Sequence, residues 1–177
     1  MEKFIKKNKF HLIVLTISLI FFFVAPVIEQ KIAMRHSNLK VLSEPLPPSA
    51  SNAKMYIDIG EWVHSKEGLF HIRGWGFIIL NSKISPTDYN RSLLLIDDKT
   101  VYELDLISVK RGDVHAFFSS LDINLEDSGF QTSFPKAALP KGTFRIALKF
   151  TLPDGSQYIL EDEHVIVQTH NHIRLGN

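Results

Sequence analysis

Thr143-Phe144-Arg145-Ile146-Ala147-Leu148-Lys149-Phe150 is the stretch that decides the fold. Phe144, Ile146, Leu148 and Phe150 fall on one side of a two-residue repeat. Thr143, Arg145, Ala147 and Lys149 fall on the other. Successive strand side chains point to opposite faces, so the stretch reads as a half-buried strand. Downstream, Pro153-Asp154-Gly155-Ser156 reads as a turn, with a strand from Gln157 and a last one through Val165 and Val167. Upstream, Met55, Ile57 and Ile59 alternate with Tyr56 and Asp58. Leu93 to Ile96 is a short apolar run and Val101 to Val109 a long alternating one. Asp97-Asp98-Lys99 separates them as a tight hairpin would. Seven to eight short strands, with turn signals about every 8–12 residues, predict an antiparallel Ig-like β-sandwich over residues 54–168. No internal repeat is present.

The N-terminus has a different character. Between Lys9 and Glu29 lie 19 residues without formal charge, centred on Leu12 to Val24. A helix of that length spans roughly 28 Å at about 1.5 Å per residue, close to the ~30 Å hydrocarbon layer. Lys3, Lys6, Lys7 and Lys9 precede it, which places the N-terminus in the cytoplasm and the rest of the chain outside. A cleaved signal peptide would look similar. Pro26 directly after Ala25, and the bulky Phe23, argue against cleavage. The expected organisation is a cytoplasmic basic tail (1–9), a transmembrane signal anchor (10–28), a stem and Pro/Ser-rich linker (29–53), the extracytoplasmic sandwich (54–168) and a flexible tail (169–177). Within the linker, residues 43–53 hold three prolines and three serines and read as a spacer with no core of its own.

Composition narrows the chemistry. The chain has 177 residues, 20 basic against 19 acidic, and no cysteine. Disulfides, thiolate metal sites and cysteine nucleophiles are excluded. From Lys54 onward there are 13 basic and 16 acidic side chains, so the folding part is mildly acidic and lacks the basic stripe of a nucleic-acid binder.

Four fragments occur in order: Gly74-Trp75-Gly76-Phe77, Arg111-Gly112-Asp113-Val114, Ser128-Gly129-Phe130, and Leu139-Pro140-Lys141-Gly142-Thr143-Phe144-Arg145-Ile146. Their order and spacing resemble a β-sandwich module of bacterial envelope proteins, found beside or within glycosyltransferases and other surface-polysaccharide proteins. That module reads G-W-A, R-x-D-V, G-F and L-x-x-G-x-Y-x-L. Here Gly76 stands for the alanine and Phe144 for the tyrosine. The resemblance covers roughly residues 55–168. It implies an envelope location and a link to glycan assembly, and no reaction.

The fragments also read physically. Gly74 and Gly76 flanking Trp75 suggest a bulge or a close backbone approach. Trp75 reads as a core anchor or, less often, a sugar platform. Arg111 and Asp113 read as a structural pin in a long connection, with ligand contact as the alternative. Gly129 is expected to supply a positive φ before the strand from Phe130. Gly142 marks the start of the Phe144 strand. His71 and Arg73 share one strand face. No nucleophile elbow, P-loop, dinucleotide turn or zinc-helix motif is present. Asp97/Asp98, Glu126/Asp127 and Glu161/Asp162/Glu163 are adjacent acids, which a strand points to opposite faces rather than across a cleft. His170 and His172 could share a metal, but they lie near the chain end, so no metal or cofactor is expected.

The contact residues expected are therefore Arg73, Trp75, Arg111 and Asp113. The function expected is a non-enzymatic binding or accessory module in cell-envelope polysaccharide assembly, anchored by one membrane pass. Its expected partners are the membrane, a glycosyltransferase or polysaccharide transporter, and a surface glycan. The alternatives are a structural or self-association domain at the cell surface and a small carbohydrate-active enzyme using Trp75, Asp113 and nearby acids.

Overall fold

The computed structural model describes residues 37–63, 68–79, 85–170 and 172–176, with helical positions at 15, 16, 18, 23–25, 27–29 and 31–34. The described residues form strands β1 (Leu39–Leu42), β2 (Ala53–Val63), β3 (Leu69–Ile78), β4 (Asn90–Ile96), β5 (Val101–Asp105), β6 (Ile107–Val109), β7 (Gly129–Pro135), β8 (Gly142–Thr151), β9 (Gln157–Gln168) and β10 (Ile173–Gly176). One short helix, α1 (Gly112–Phe117), follows β6. A six-stranded sheet runs β1-β5-β4-β8-β9-β10 and a four-stranded sheet runs β2-β3-β7-β6. All of these strand pairs are antiparallel.

The all-β reading holds, and the core forms where the alternation places it. Phe144, Ile146, Leu148 and Phe150 of β8 are each 0% exposed. With Leu93, Leu95 and Leu104 they meet Phe70, Ile72, Phe130 and Phe134 of the other sheet in one continuous cluster. Each such side chain contributes about 1.5–3 kcal/mol by leaving water. The turn at 153–156 is present, with Leu152 N–H donating to Ser156 O at 2.9 Å and Gly155 at φ 84°. The hairpin between β4 and β5 is held by Asp97 Oδ1, which accepts from the backbone N–H groups of Lys99 and Thr100.

Three expectations need correction. The run Val101 to Val109 is not one strand. It breaks at Leu106, and β5 and β6 belong to different sheets, so the chain crosses the sandwich there. The stretch before Lys54 is not a free spacer. Leu39–Leu42 pairs with β5, and Leu39 is buried in the core. Ser49 then bridges Ile159 of β9, with Ala50 N–H donating to Ile159 O and Ile159 N–H to Pro48 O. The proline-rich segment therefore straps the six-stranded sheet from one edge to β9. Finally, Ile173–Gly176 of the supposed flexible tail pairs with β9, and Ile173 is buried. With β1 and β10, the described residues hold ten strands rather than seven or eight.

Most of residues 10–28, read as the membrane anchor, lie outside the described residues. Among the described residues no helix is long and apolar enough to cross a membrane. The helical positions continue to Met34, and Ala33 and Met34 pack against the core. The backbone N–H and Oγ of Ser37 both donate to Met34 O, closing the helix two residues before β1 begins.

Candidate functional site: the outer face of the four-stranded sheet

Alternation along β3 sends Phe70, Ile72, Gly74 and Gly76 to the core, and Leu69, His71, Arg73, Trp75 and Phe77 to the opposite face. The register then builds rows across the sheet. Tyr56, Trp75, Gly129 and Val109 form one row. Ile59, Arg73, Gln131 and Ile107 form the next. Glu61, His71 and Ser133 form a third. A β-bulge at Asp58 lies between the first two rows on β2: Ile57 pairs with Gly74, Ile59 with Arg73, and Asp58 is the extra residue. The last two rows line an open hollow of about 270 Å³ bounded by Glu61, His71, Arg73, Ile107, Gln131 and Ser133.

Arg111 stands at the upper rim. Its Nε and Nη2 donate to the two carboxylate oxygens of Asp113 at 2.8 and 2.7 Å, a bidentate fork. Its Nη1 donates to Asp58, so the bulge residue is tied to the loop after β6. Its backbone N–H donates to Glu126 O at 2.6 Å. The fork pulls the Asp113 carboxyl down to about 2, because Arg111 bonds and stabilises its ionised form. Both carboxylates push the Arg111 guanidinium well above its ordinary value, the Asp113 hydrogen bonds most of all. The pin expected of Arg111 and Asp113 is present, with Asp58 as a third member that the sequence does not reveal.

Trp75 lies under the edge of the segment that follows Arg111. Val114 of α1, Ile123 and Leu125 are buried against Phe77, with Trp75, Ile79, Phe118 and Leu121 packed around them. Trp75 stacks on Phe77 at a centroid distance of 6.0 Å and meets Phe118 edge-on at 5.6 Å. It is half-buried, a wall between this satellite cluster and the open sheet. Leu125 N–H donates to His115 Nδ1, closing the segment on itself. Phe117, one residue before Phe118, points outward and is 80% exposed.

The motif glycines serve close approach. A Cβ on Gly76 would lie 2.3 Å from Leu148 Cδ2, and one on Gly74 would lie 2.4 Å from Tyr56 O. Gly129 was expected at positive φ, but it has φ −71° and ψ 152°. It is small because Arg111 Cγ and Val109 O occupy the place of a side chain, at 2.5 and 2.4 Å from a built Cβ. Phe130 is buried in the core at 1% exposure. Gly142 opens β8 opposite Gln168, at the far end of the sandwich from Trp75.

Of the contact residues expected from sequence, Arg73 and Trp75 share the outer face of β3 and Arg111 and Asp113 stand at its rim, while sequence reasoning misses Asp58, Glu61, Gln131 and Ser133 beside them. It also misses Arg91, whose guanidinium reaches from the six-stranded sheet to four backbone carbonyls of the other side. Nη1 donates to Gly76 O and Ser128 O, and Nη2 to Asp127 O and Gly129 O. Burial lowers its pKa.

The face offers donors, acceptors and an aromatic edge. It holds Asp58 and Asp113 as bound counter-charges, and a carboxyl near 2 carries no proton to donate at neutral pH. A His–carboxylate pair does form elsewhere: His164 Nδ1 meets Asp162 within β9, with Tyr56 edge-on to the imidazole at 5.9 Å. Among the described residues no group of three or more His, Asp or Glu is placed to hold a metal. The chain matches no protein-family model, and no curated protein and no solved structure matches it.

Proposed function

We propose that the chain is a non-enzymatic glycan-binding accessory module of bacterial envelope polysaccharide assembly: an Ig-like sandwich held outside the membrane by an N-terminal transmembrane helix. The observation that carries the reading is the ordered face in which half-buried Trp75 adjoins the hydrogen-bonding groups of Arg73, His71, Gln131, Ser133 and Glu61. Sugars present apolar C–H faces and rings of hydroxyls, and an aromatic edge beside mixed donors and acceptors suits both. The ordered resemblance to the envelope module supports the same assignment. The membrane reading draws support from Leu15, Phe23, Val27 and Ile28, apolar helical residues that are 52–65% exposed.

The test is titration of the full chain in detergent with a panel of purified bacterial surface polysaccharide fragments. Saturable binding that Arg73→Ala weakens supports the reading. Failure to bind any fragment removes glycan recognition. Exposed Phe117 carries the second reading, in which this rim docks on a glycosyltransferase or polysaccharide transporter. Loss of a crosslinked partner in Phe117→Ser would favour it.

A further inference from the structure

Where the helical positions meet β7, β8 and β9 lies a larger hollow of about 610 Å³. Glu29, Gly68, Lys136, Lys141, Gln168 and His170 line it. We propose that this hollow binds a polyol phosphate, the headgroup chemistry of an anionic lipid.

Gln168 points to a ligand. Its side chain sits in a residue 7% exposed, and its Nε2 donates to Lys136 O at 3.2 Å. That carbonyl can only accept, so the amide orientation is fixed and Oε1 is the free end. Oε1 is buried and has no hydrogen-bond partner among the described residues. A buried acceptor without a donor is costly, and a hydroxyl from a ligand would supply one. Charge narrows the ligand further. Among the described lining residues the cations Lys136 and Lys141 stand against one acid, Glu29, which favours an anion over an ammonium headgroup. Lys136 Nζ is fixed by His170 O at 2.9 Å, whereas Lys141 is exposed at the rim. A phosphate near Lys141 with a hydroxyl on Gln168 Oε1 uses both features. A neutral sugar would leave Lys141 idle, and a bare phosphate would leave Oε1 unpaired.

The lipid source rests on the membrane reading above, because Glu29 directly follows the apolar 10–28 segment. The chemistry of the hollow does not rest on it. The glycan face is lined by Glu61, His71, Arg73, Gln131 and Ser133, none of which lines this hollow, so the two readings fail separately.

The test is calorimetric titration of the full chain in zwitterionic detergent with four probes. These are dihexanoyl phosphatidylglycerol, dihexanoyl phosphatidylmethanol (the same charge, no hydroxyl), dihexanoyl phosphatidylcholine and soluble glycerol 3-phosphate. Phosphatidylglycerol should bind about five-fold more tightly than phosphatidylmethanol, the worth of one hydrogen bond. Phosphatidylcholine should bind more weakly still. Gln168→Met should erase the preference for phosphatidylglycerol while leaving phosphatidylmethanol unchanged. Lys141→Ala, at an exposed position, keeps the fold and should weaken both anionic lipids several-fold. Glycerol 3-phosphate binding as tightly as the lipid supports the site and makes its source soluble. Equal affinity for phosphatidylglycerol and phosphatidylmethanol, or no binding of either, overturns the proposal.

Discussion

Gly129 lies directly beneath the stem of Arg111: a Cβ built on it would fall 2.5 Å from Arg111 Cγ. The glycine and the ion triad of Arg111, Asp58 and Asp113 are therefore one device. Its φ of −71° is open to any residue, so alanine is excluded by space alone. Gly129→Ala should destabilise the domain by about 1–3 kcal/mol through overpacking. It should also displace Arg111 from Asp58 and loosen its fork on Asp113. Thermal unfolding checks the first effect, and the Asp113 titration described next checks the second.

Asp113 has its carboxyl lowered from 3.8 to about 2 by the Arg111 fork. A carboxylate depressed in the folded state contributes stability above its unfolded pKa and loses it as pH falls through the folded one. The contribution is thus intact above about pH 4 and lost between pH 4 and 2. In carboxyl NMR, Asp113 should titrate near 2 in the native chain and return toward 3.8 in Arg111→Gln. A native midpoint near 4 would show that the fork does not form in solution.

Arg91 joins the two sheets by donating to the carbonyls of Gly76, Asp127, Ser128 and Gly129. Arg91→Met keeps the apolar stem but strands carbonyls at a part-buried site. The loss should be about 3 kcal/mol, the upper end for hydrogen bonds to a charged group. Arg91→Lys should recover little, because a point ammonium cannot fork to carbonyls on both sides. Chemical denaturation of the three proteins orders them.

How far this was legible differs from element to element. The β8 strand announces itself because Phe144, Ile146, Leu148 and Phe150 all enter one core. The β1 strand does not, because Leu39 is its one fully buried residue and prolines follow close behind. Its pairing partner, β5, lies some sixty residues away. The same distance hides the site. Gln131 and Ser133 are ordinary alternate polar residues until the register sets them beside Arg73 and His71. Asp58 looks like the outward half of an alternation until the bulge turns it toward Arg111. Arg91 stands in Asn90-Arg91-Ser92, which reads as a glycosylation sequon and gives no sign of burial.

Gly76 and Leu148 share one space across the core. A Cβ at 76 would lie 2.3 Å from Leu148 Cδ2 and 3.1 Å from Met55 Cβ. Gly76→Ala alone should cost about 1–3 kcal/mol. Leu148→Ala alone should cost about 2–5 kcal/mol through its cavity. The double variant should cost less than the sum, because each change makes room for the other. Strict additivity would mean that the clash is relieved elsewhere in the core.

Arg73 and Trp75 are two residues apart on one face, yet their substitutions should separate binding from stability. Arg73 is exposed and makes no hydrogen bond or ion pair among the described residues, so Arg73→Ala should change stability by less than about 0.5 kcal/mol. If its guanidinium bonds a glycan hydroxyl or carboxylate, affinity should fall about ten-fold. Trp75 packs on Phe77 and Phe118, so Trp75→Ala should lower both stability and affinity. The stability cost should be about 2 kcal/mol, below the roughly 3–5 kcal/mol of a fully buried aromatic, because the indole is half-buried. Trp75→Phe should restore most of the stability by refilling the contact with Phe118. If it restores affinity equally, Trp75 acts by holding the 110–128 segment in place. If affinity stays low while stability returns, the indole itself touches the ligand.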